Sequence, residues 1–253
     1  MRGKLINALA LPALPLLLIQ SRILYRKIPR LPPAAGPRAG LVEGTGAPLR
    51  VLVVGESTAV GVGVDTIDEA MVGRFARILN TRTGRPVAWE AAGLSGATVS
   101  EGHAHLLPGI AARPRDLVVI LFGANDTLAR RPARAFAEDM RALLTDLRPL
   151  VGEAPILISS VPPLGTFPAL PQPLKAYLGA WSNWLDSTMA QLNLPGTHYA
   201  PVNIEMEAVL FASDGFHPGP VGYHAWAEIL AAAAFKLELL LEQAAAEDLS
   251  TPL

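Results

Sequence analysis

The chain has 253 residues, 51% of them hydrophobic and 17% charged, with a formal net charge of −1 and no cysteine. That composition supplies a large core and excludes global disorder. It gives no reason to expect a nucleic-acid partner, and it excludes disulfides, thiolate chemistry and cysteine-ligated zinc or iron–sulfur centres.

The N-terminal region differs from the rest. Residues 1–50 hold eight Lys/Arg and a single acid, Glu43. They also hold the most apolar run, INALALPALPLLLIQ from Ile6 to Gln20, interrupted by Pro12 and Pro15. Fifteen residues fall short of the roughly 20 that a spanning helix needs. Arg2 and Lys4 ahead of an apolar run look like a secretory leader, but SRILYRKIPR follows where a small-residue cleavage site belongs. Residues 1–30 therefore read as an apolar, basic segment that lies on a membrane surface or packs on its own domain, two readings of equal standing. The cytoplasm or a membrane surface is the expected location, with the periplasm and secretion left open. Residues 31–48, rich in Pro and Gly, read as a linker. A domain is expected over 49–247, and a C-terminal tail over 248–253.

From Leu49 onward, strand-like and helix-like stretches alternate. LRVLVVG is a short strand, apolar from Val51 to Val54, and Asp68 to Arg82 has Met71, Phe75, Ile78 and Leu79 at helical spacing. PVAWEAAG reads as a strand, Thr98 to Leu107 as a helix and DLVVILFG as a second apolar strand. A helix over Pro132 to Leu150 opens with Pro at an early position. APILISSVP is a strand, Pro162 to Pro173 a Pro-rich loop, and Leu174 to Leu192 a helix. HYAPVNI is a weak strand, and Pro218 to Glu247 contains a long Ala/Leu-rich helix. Apolar strands need cover on both faces, and strand–helix alternation gives right-handed βαβ units. The expected fold is α/β, a three-layer α/β/α sandwich with about five parallel strands. Ligands collect at the carboxyl ends of such strands.

Polar clusters follow three of these strands: Gly55-Glu56-Ser57, GLSGAT from Gly93 to Thr98, and Gly123-Ala124-Asn125-Asp126. A fourth, SDGFHP, precedes the last helix. None is a phosphate site. No lysine lies between Val51 and Thr98 for a Walker turn, and Thr66 stands where the third glycine of a dinucleotide turn belongs. Ala59 replaces the second glycine of G-x-S-x-G, so the usual nucleophile elbow is absent as well. A serine nucleophile still needs a base, and the base an orienting group. Asp214 and His217 are three apart, so on one helical or 3₁₀ turn their side chains can meet, leaving the second imidazole nitrogen for Ser57. Candidate oxyanion donors are the Ser57 and Gly96 backbone N–H groups and the Asn125 amide.

These four blocks, in this order and spacing, resemble those of the SGNH (GDSL) hydrolases over roughly Leu49 to Leu240. The resemblance implies a flavodoxin-like sandwich and an esterase or lipase-like activity. It implies Ser57 as nucleophile, Asp214 and His217 completing the triad, and Ser57, Gly96 and Asn125 forming the oxyanion hole. Three positions depart from the family pattern. Glu56 replaces its Asp, Thr58 replaces an apolar residue, and Ala91 stands where Asn is common.

Each residue also has a plainer reading, as turn, cap or packing group. Asp126 is read as structural, and His103 and His105 as surface residues. No metal site and no cofactor are expected. Leu164, Phe167 and Leu170 leave a strand's carboxyl end and are candidates to bind an acyl group. Trp181 and Trp184 are read as helix packing. The function expected is hydrolysis of a carboxylic ester through an acyl-enzyme, on a short-chain or lysophospholipid-like substrate. An acyltransferase with the same triad and a non-catalytic membrane-associated module are the alternatives. The partner expected is a small ester or lipid, with peripheral membrane contact through the N-terminal segment.

Overall fold

The computed structural model describes residues 2–250. Its centre is a six-stranded sheet, and the apolar runs account for its inner strands. These strands are β1 (Ala39–Val42), β2 (Leu49–Gly55), β3 (Val87–Gly93), β4 (Leu117–Leu121), β5 (Ile156–Ser159) and β6 (Thr197–Ala200). The spatial order is β1-β3-β2-β4-β5-β6. The last five strands are parallel, in the flavodoxin-like order that reverses direction beside the first of them. The reversal lies between β2 and β4, the strands that lead to Ser57 and Asn125.

Side chains alternate across this sheet, so each apolar strand feeds two cores. Val51, Val53, Val119 and Leu157 pack under α3 (Met71–Thr83) and α8 (Pro220–Ser250). Leu52, Val54, Ile120 and Ile158 face α6 (Ala133–Val151) and α7 (Leu174–Met189) on the other side. Helix α4 (Val99–Leu106) sits on that second face and starts with a capping box between Thr98 and Glu101. Helix α5 (Ala124–Leu128) is a single turn following β4.

Five differences from the sequence expectations are informative. The sheet has a sixth strand, because β1 pairs antiparallel with β3 along an edge. Four residues set among Gly and Pro carry no readable period, and half their side chains are exposed. Residues 31–48 are therefore more than a linker. Ala34 N–H donates to Val60 O, Ala35 N–H to Asp65 O, and the Arg38 guanidinium to Ala34 O and Val60 O. These bonds fasten the segment over the turn that follows β2. Pro132 caps α6 from outside instead of standing within it. Strand β6 ends at Ala200, short of the predicted VNI. Positions 248–250 continue α8, while 251–253 of the expected tail lie outside the described residues.

The N-terminal segment is helical. Helix α1 (Arg2–Ala10) and α2 (Leu14–Lys27) are joined by one 3₁₀ turn, Leu11–Ala13, at the prolines. The pair straps across α7. Gly3 lies against the Trp184 ring, Tyr177 Oη donates to Asn7 Oδ1, and Leu17 is 5% exposed in a cluster with Leu164, Phe167, Leu170, Leu174 and Leu178. Burying one such leucine contributes about 1.5–3 kcal/mol.

Candidate active site

Strand β2 ends at Gly55 because the chain must pass close to β4: a Cβ there would sit 2.4 Å from Leu121 O. The following turn carries Glu56, Ser57 and Thr58, all buried. Gly63, at φ +106, lets this turn approach the loop holding His217, since a Cβ there would sit 2.3 Å from Pro218 O and 3.1 Å from His217 Cβ. The glycines around Ser57 thus serve close packing.

Asp214 and His217 lie in a tight loop, not on the helical or 3₁₀ turn expected. A β-bridge between Phe211 and Pro218 closes the loop, and Gly215 turns it at φ +63. Asp214 Oδ1 accepts from the Phe216 and His217 N–H groups, both at 2.9 Å. Asp214 Oδ2 stands 2.6 Å from His217 Nδ1, and His217 Nε2 stands 3.0 Å from Ser57 Oγ. Burial pushes the Asp214 carboxyl up, but the imidazole and the two loop N–H groups outweigh it and hold the group below its ordinary value. The Asp214 side chain is fully covered, whereas 19% of the His217 side chain is exposed. An ionised acid behind a half-open imidazole, with a hydroxyl in front, is an arrangement that can move a proton off serine.

Glu56 reaches the start of α5. Its carboxylate accepts from Ala124 N–H and Asn125 N–H, both at 3.1 Å, and from Asn125 Nδ2 at 2.5 Å. Burial drives its pKa up to about 8, against the pull of these donors, and nearby Asp126 raises it further. Asn125 Nδ2 also donates to Ala97 O at 3.2 Å, so both hydrogens of this expected oxyanion donor are engaged. The Ser57 and Gly96 N–H groups have no acceptor among the described residues. Gly96, at φ +82, is exposed. Asp126 is buried, with a pKa raised by that burial to about 6, and accepts from the first N–H of α4. It ties α5 to α4, consistent with a structural role. His103 is only partly exposed, because its Nε2 lies 2.8 Å from Asp146 Oδ2.

A mostly apolar pocket, open to solvent, is lined at one end by Ser57 and His217. Of the three acyl-binding candidates, only Phe167 lines it. Leu164 and Leu170 are buried behind it, packed with Leu17. Phe167 meets Phe211 and Phe216 edge to face, with ring centroids 5.1 and 5.2 Å apart. Val202, Ile204 and Met206 form another part of the wall. These three were not picked out from the sequence, although VNIEM alternates apolar and polar residues and so marks one face of an extended chain.

The GDSL-like lipase/acylhydrolase family matches residues 53–225. This chain belongs to that family. A GDSL-like esterase of Mycobacterium tuberculosis, Rv1075c, is 29% identical over 217 residues, covering 81% of this chain and 65% of its own length. The chain thus spans slightly less than two thirds of that GDSL relative. The lipase Lip_vut3 from a goat rumen metagenome superposes with a TM-score of 0.60 at 20% identity, covering 73% of this chain and 97% of the lipase. An aryl esterase of M. smegmatis gives 0.56 at 20% identity, covering 75% and 99%. At that identity the two neighbours speak for the shared fold alone.

Proposed function

We propose that this chain hydrolyses carboxylic esters through an acyl-enzyme on Ser57. The observation that carries the reading is the unbroken line from Asp214 through His217 to Ser57, with gaps of 2.6 and 3.0 Å, opening on an apolar cavity. Ser57 Oγ attacks the ester carbonyl carbon while His217 Nε2 takes its proton. The negative charge collects on the carbonyl oxygen, where the Ser57 and Gly96 N–H groups donate to it. Asn125 Nδ2 joins them by giving up its longer bond to Ala97 O, while its bond to Glu56 keeps the side chain in place. The ester C–O bond breaks, and His217 returns the proton to the departing alcohol. Water then attacks the acyl carbon as His217 Nε2 takes its proton; the bond between the acyl carbon and Ser57 Oγ breaks, His217 returns the proton to Oγ, and the carboxylic acid leaves. Asp214 stabilises the imidazolium in both halves.

The cavity supports an acyl group as the portion recognised. Phe167, Phe211, Phe216 and Met206 offer carbon surface and no charge. The test is a chain-length series of nitrophenyl esters on the intact protein and on Ser57→Ala, with added alcohols or glycans as competing acceptors. Hydrolysis that depends on Ser57 and improves with acyl length supports the reading. Equal rates for both proteins overturn it, and transfer to the added acceptor in preference to water replaces hydrolase with acyltransferase.

A further inference from the structure

Among the described residues, 13 large apolar side chains are exposed, and eight of them lie between Leu5 and Ile23. Leu5, Leu9, Leu11, Leu18, Ile19 and Ile23 are each 46–74% exposed. Among the described side chains of α1 and α2, Leu17 is the one large apolar group fully buried against the body, with Ile6 and Leu24 partly buried. A soluble surface rarely leaves so continuous an apolar row open to water. The row is flanked by charge of one sign. Arg2 and Lys4 precede it, Arg22, Arg26, Lys27 and Arg30 follow or close it, and no acid occurs before Glu43. Lys4, Arg22 and Arg26 are exposed.

We infer that the α1–α2 strap docks this chain in the plane of an anionic phospholipid bilayer. Charge separates this occupant from a second copy of the chain. Two straps paired about a two-fold axis would set Lys4 of one beside Arg22 and Arg26 of the other, cation against cation with no acid to answer them. An anionic lipid surface answers both basic ends and takes the leucine row between them. The helical stretch Gly3–Leu24 is long and apolar enough to cross a bilayer by length and composition. Its contacts fix a different orientation. Asn7 holds Tyr177, Leu17 sits in the body's cluster, and Gln20 bonds both Gln172 O and Leu174 N–H. A helix crossing the bilayer would have to abandon α7, whose other face is packed on the sheet.

Docking also places the cavity. Phe167 belongs both to the cavity wall and to the cluster that seats Leu17, and Met206, Phe211 and Phe216 pack against the same cluster. Val209 and Val221, 61% and 49% exposed, adjoin the cavity residues Leu210 and Gly222. The acyl-accepting wall is thus the back of the membrane strap, which suits an ester whose acyl chain is drawn from lipid. That last step rests on the hydrolase reading; the docking does not.

The experiment is co-sedimentation of the full chain with vesicles of phosphatidylcholine alone or mixed with phosphatidylglycerol. Hydrolysis of a soluble nitrophenyl ester is followed in the same samples. Wild type and Ser57→Ala are expected to pellet alike with the mixed vesicles and to be released by high salt. Leu9→Ser, Leu18→Ser and Ile19→Ser combined should cut the bound fraction by about tenfold or more while soluble hydrolysis stays within about twofold. Arg22→Gln with Arg26→Gln should lower binding to the anionic vesicles selectively, and decides the matter if the triple variant fails to fold. Wild type left in the supernatant, or variants that bind as wild type does, would overturn the inference. So would a concentration-dependent dimer that the triple variant abolishes, which makes a second copy the occupant. Retention through an alkaline carbonate wash would make the segment a spanning helix. Loss of hydrolysis in Ser57→Ala tests the serine chemistry separately, whatever the vesicles show.

Discussion

The rim of the sheet and the N-terminal strap follow opposite physical rules. At the rim, the Asp214 and Glu56 carboxylates are buried and paired. Asp214 accepts three hydrogen bonds around one loop, and Glu56 accepts three at the start of α5. Along the strap, apolar groups are exposed and only a few polar contacts tie the helices down. The rim spends folding energy to hold reactive groups in fixed positions. The strap leaves much of its apolar surface uncovered by the rest of the fold. The two regions should therefore respond separately: rim substitutions change chemistry with lipid binding intact, and strap substitutions do the reverse.

The sharpest break in that comparison comes from the relay. Asp214→Asn should lower kcat/KM on a soluble ester by about 10³–10⁴-fold, because the imidazole loses the partner that fixes its tautomer. Vesicle binding should be unchanged. A loss under tenfold would mean that Asp214 serves the loop and not the proton transfer.

Asn125→Ala comes next, with an expected loss of about 10–100-fold in kcat and little change in KM. The predicted effect is smaller than for a donor already free, because the amide is shared with Glu56 and Ala97. Unchanged kcat would leave the oxyanion to the Ser57 and Gly96 N–H groups alone.

Glu56 gives a pH signature. Its folded pKa of about 8 lies above the ordinary 4.5, so the folded state holds the proton more tightly than the unfolded chain. The stability it contributes is fully present below pH 4.5 and is lost as pH rises toward 8. Thermal unfolding of wild type and Glu56→Gln across that range should diverge. The wild-type Tm should fall with rising pH relative to the variant. Parallel curves would show that the three N–H donors keep Glu56 ionised throughout.

Thr58 supplies the smallest effect. Its Oγ1 is buried and has no hydrogen-bond partner among the described residues. Thr58→Val removes that unpaired hydroxyl at nearly constant shape and should leave Tm unchanged or raise it by about 2–4 °C. A lowered Tm would reveal a partner for the hydroxyl.

What the sequence made legible follows the same division. Runs such as LRVLVVG and LVVIL can only be strands covered on both faces, so the five parallel strands and their helices were readable. That Ser57, Asp214 and His217 come within hydrogen-bond distance of one another was readable, because each sits in a short block at a turn. The edge strand β1 was not, since AGLV shows no period and its pairing with β3 is tertiary, while the bonds to residues 60–67 come from Ala34, Ala35 and Arg38 just before it. The direction of the Asn125 amide was not readable either. It follows from the bond that the Glu56 carboxylate accepts from Asn125 Nδ2, a tertiary contact that no spacing encodes. Leu164 and Leu170 shared the loop and the polarity of Phe167, and only tertiary packing separates the wall from what lies behind it.

The central claim is that Ser57 is an activated nucleophile. Its most direct test is treatment of the full chain with a fluorophosphonate, followed by intact mass and peptide mapping. The account predicts one covalent adduct, located on Ser57, absent in Ser57→Ala and strongly slowed in His217→Ala. An unlabelled wild type, or an adduct that persists in Ser57→Ala, would contradict it.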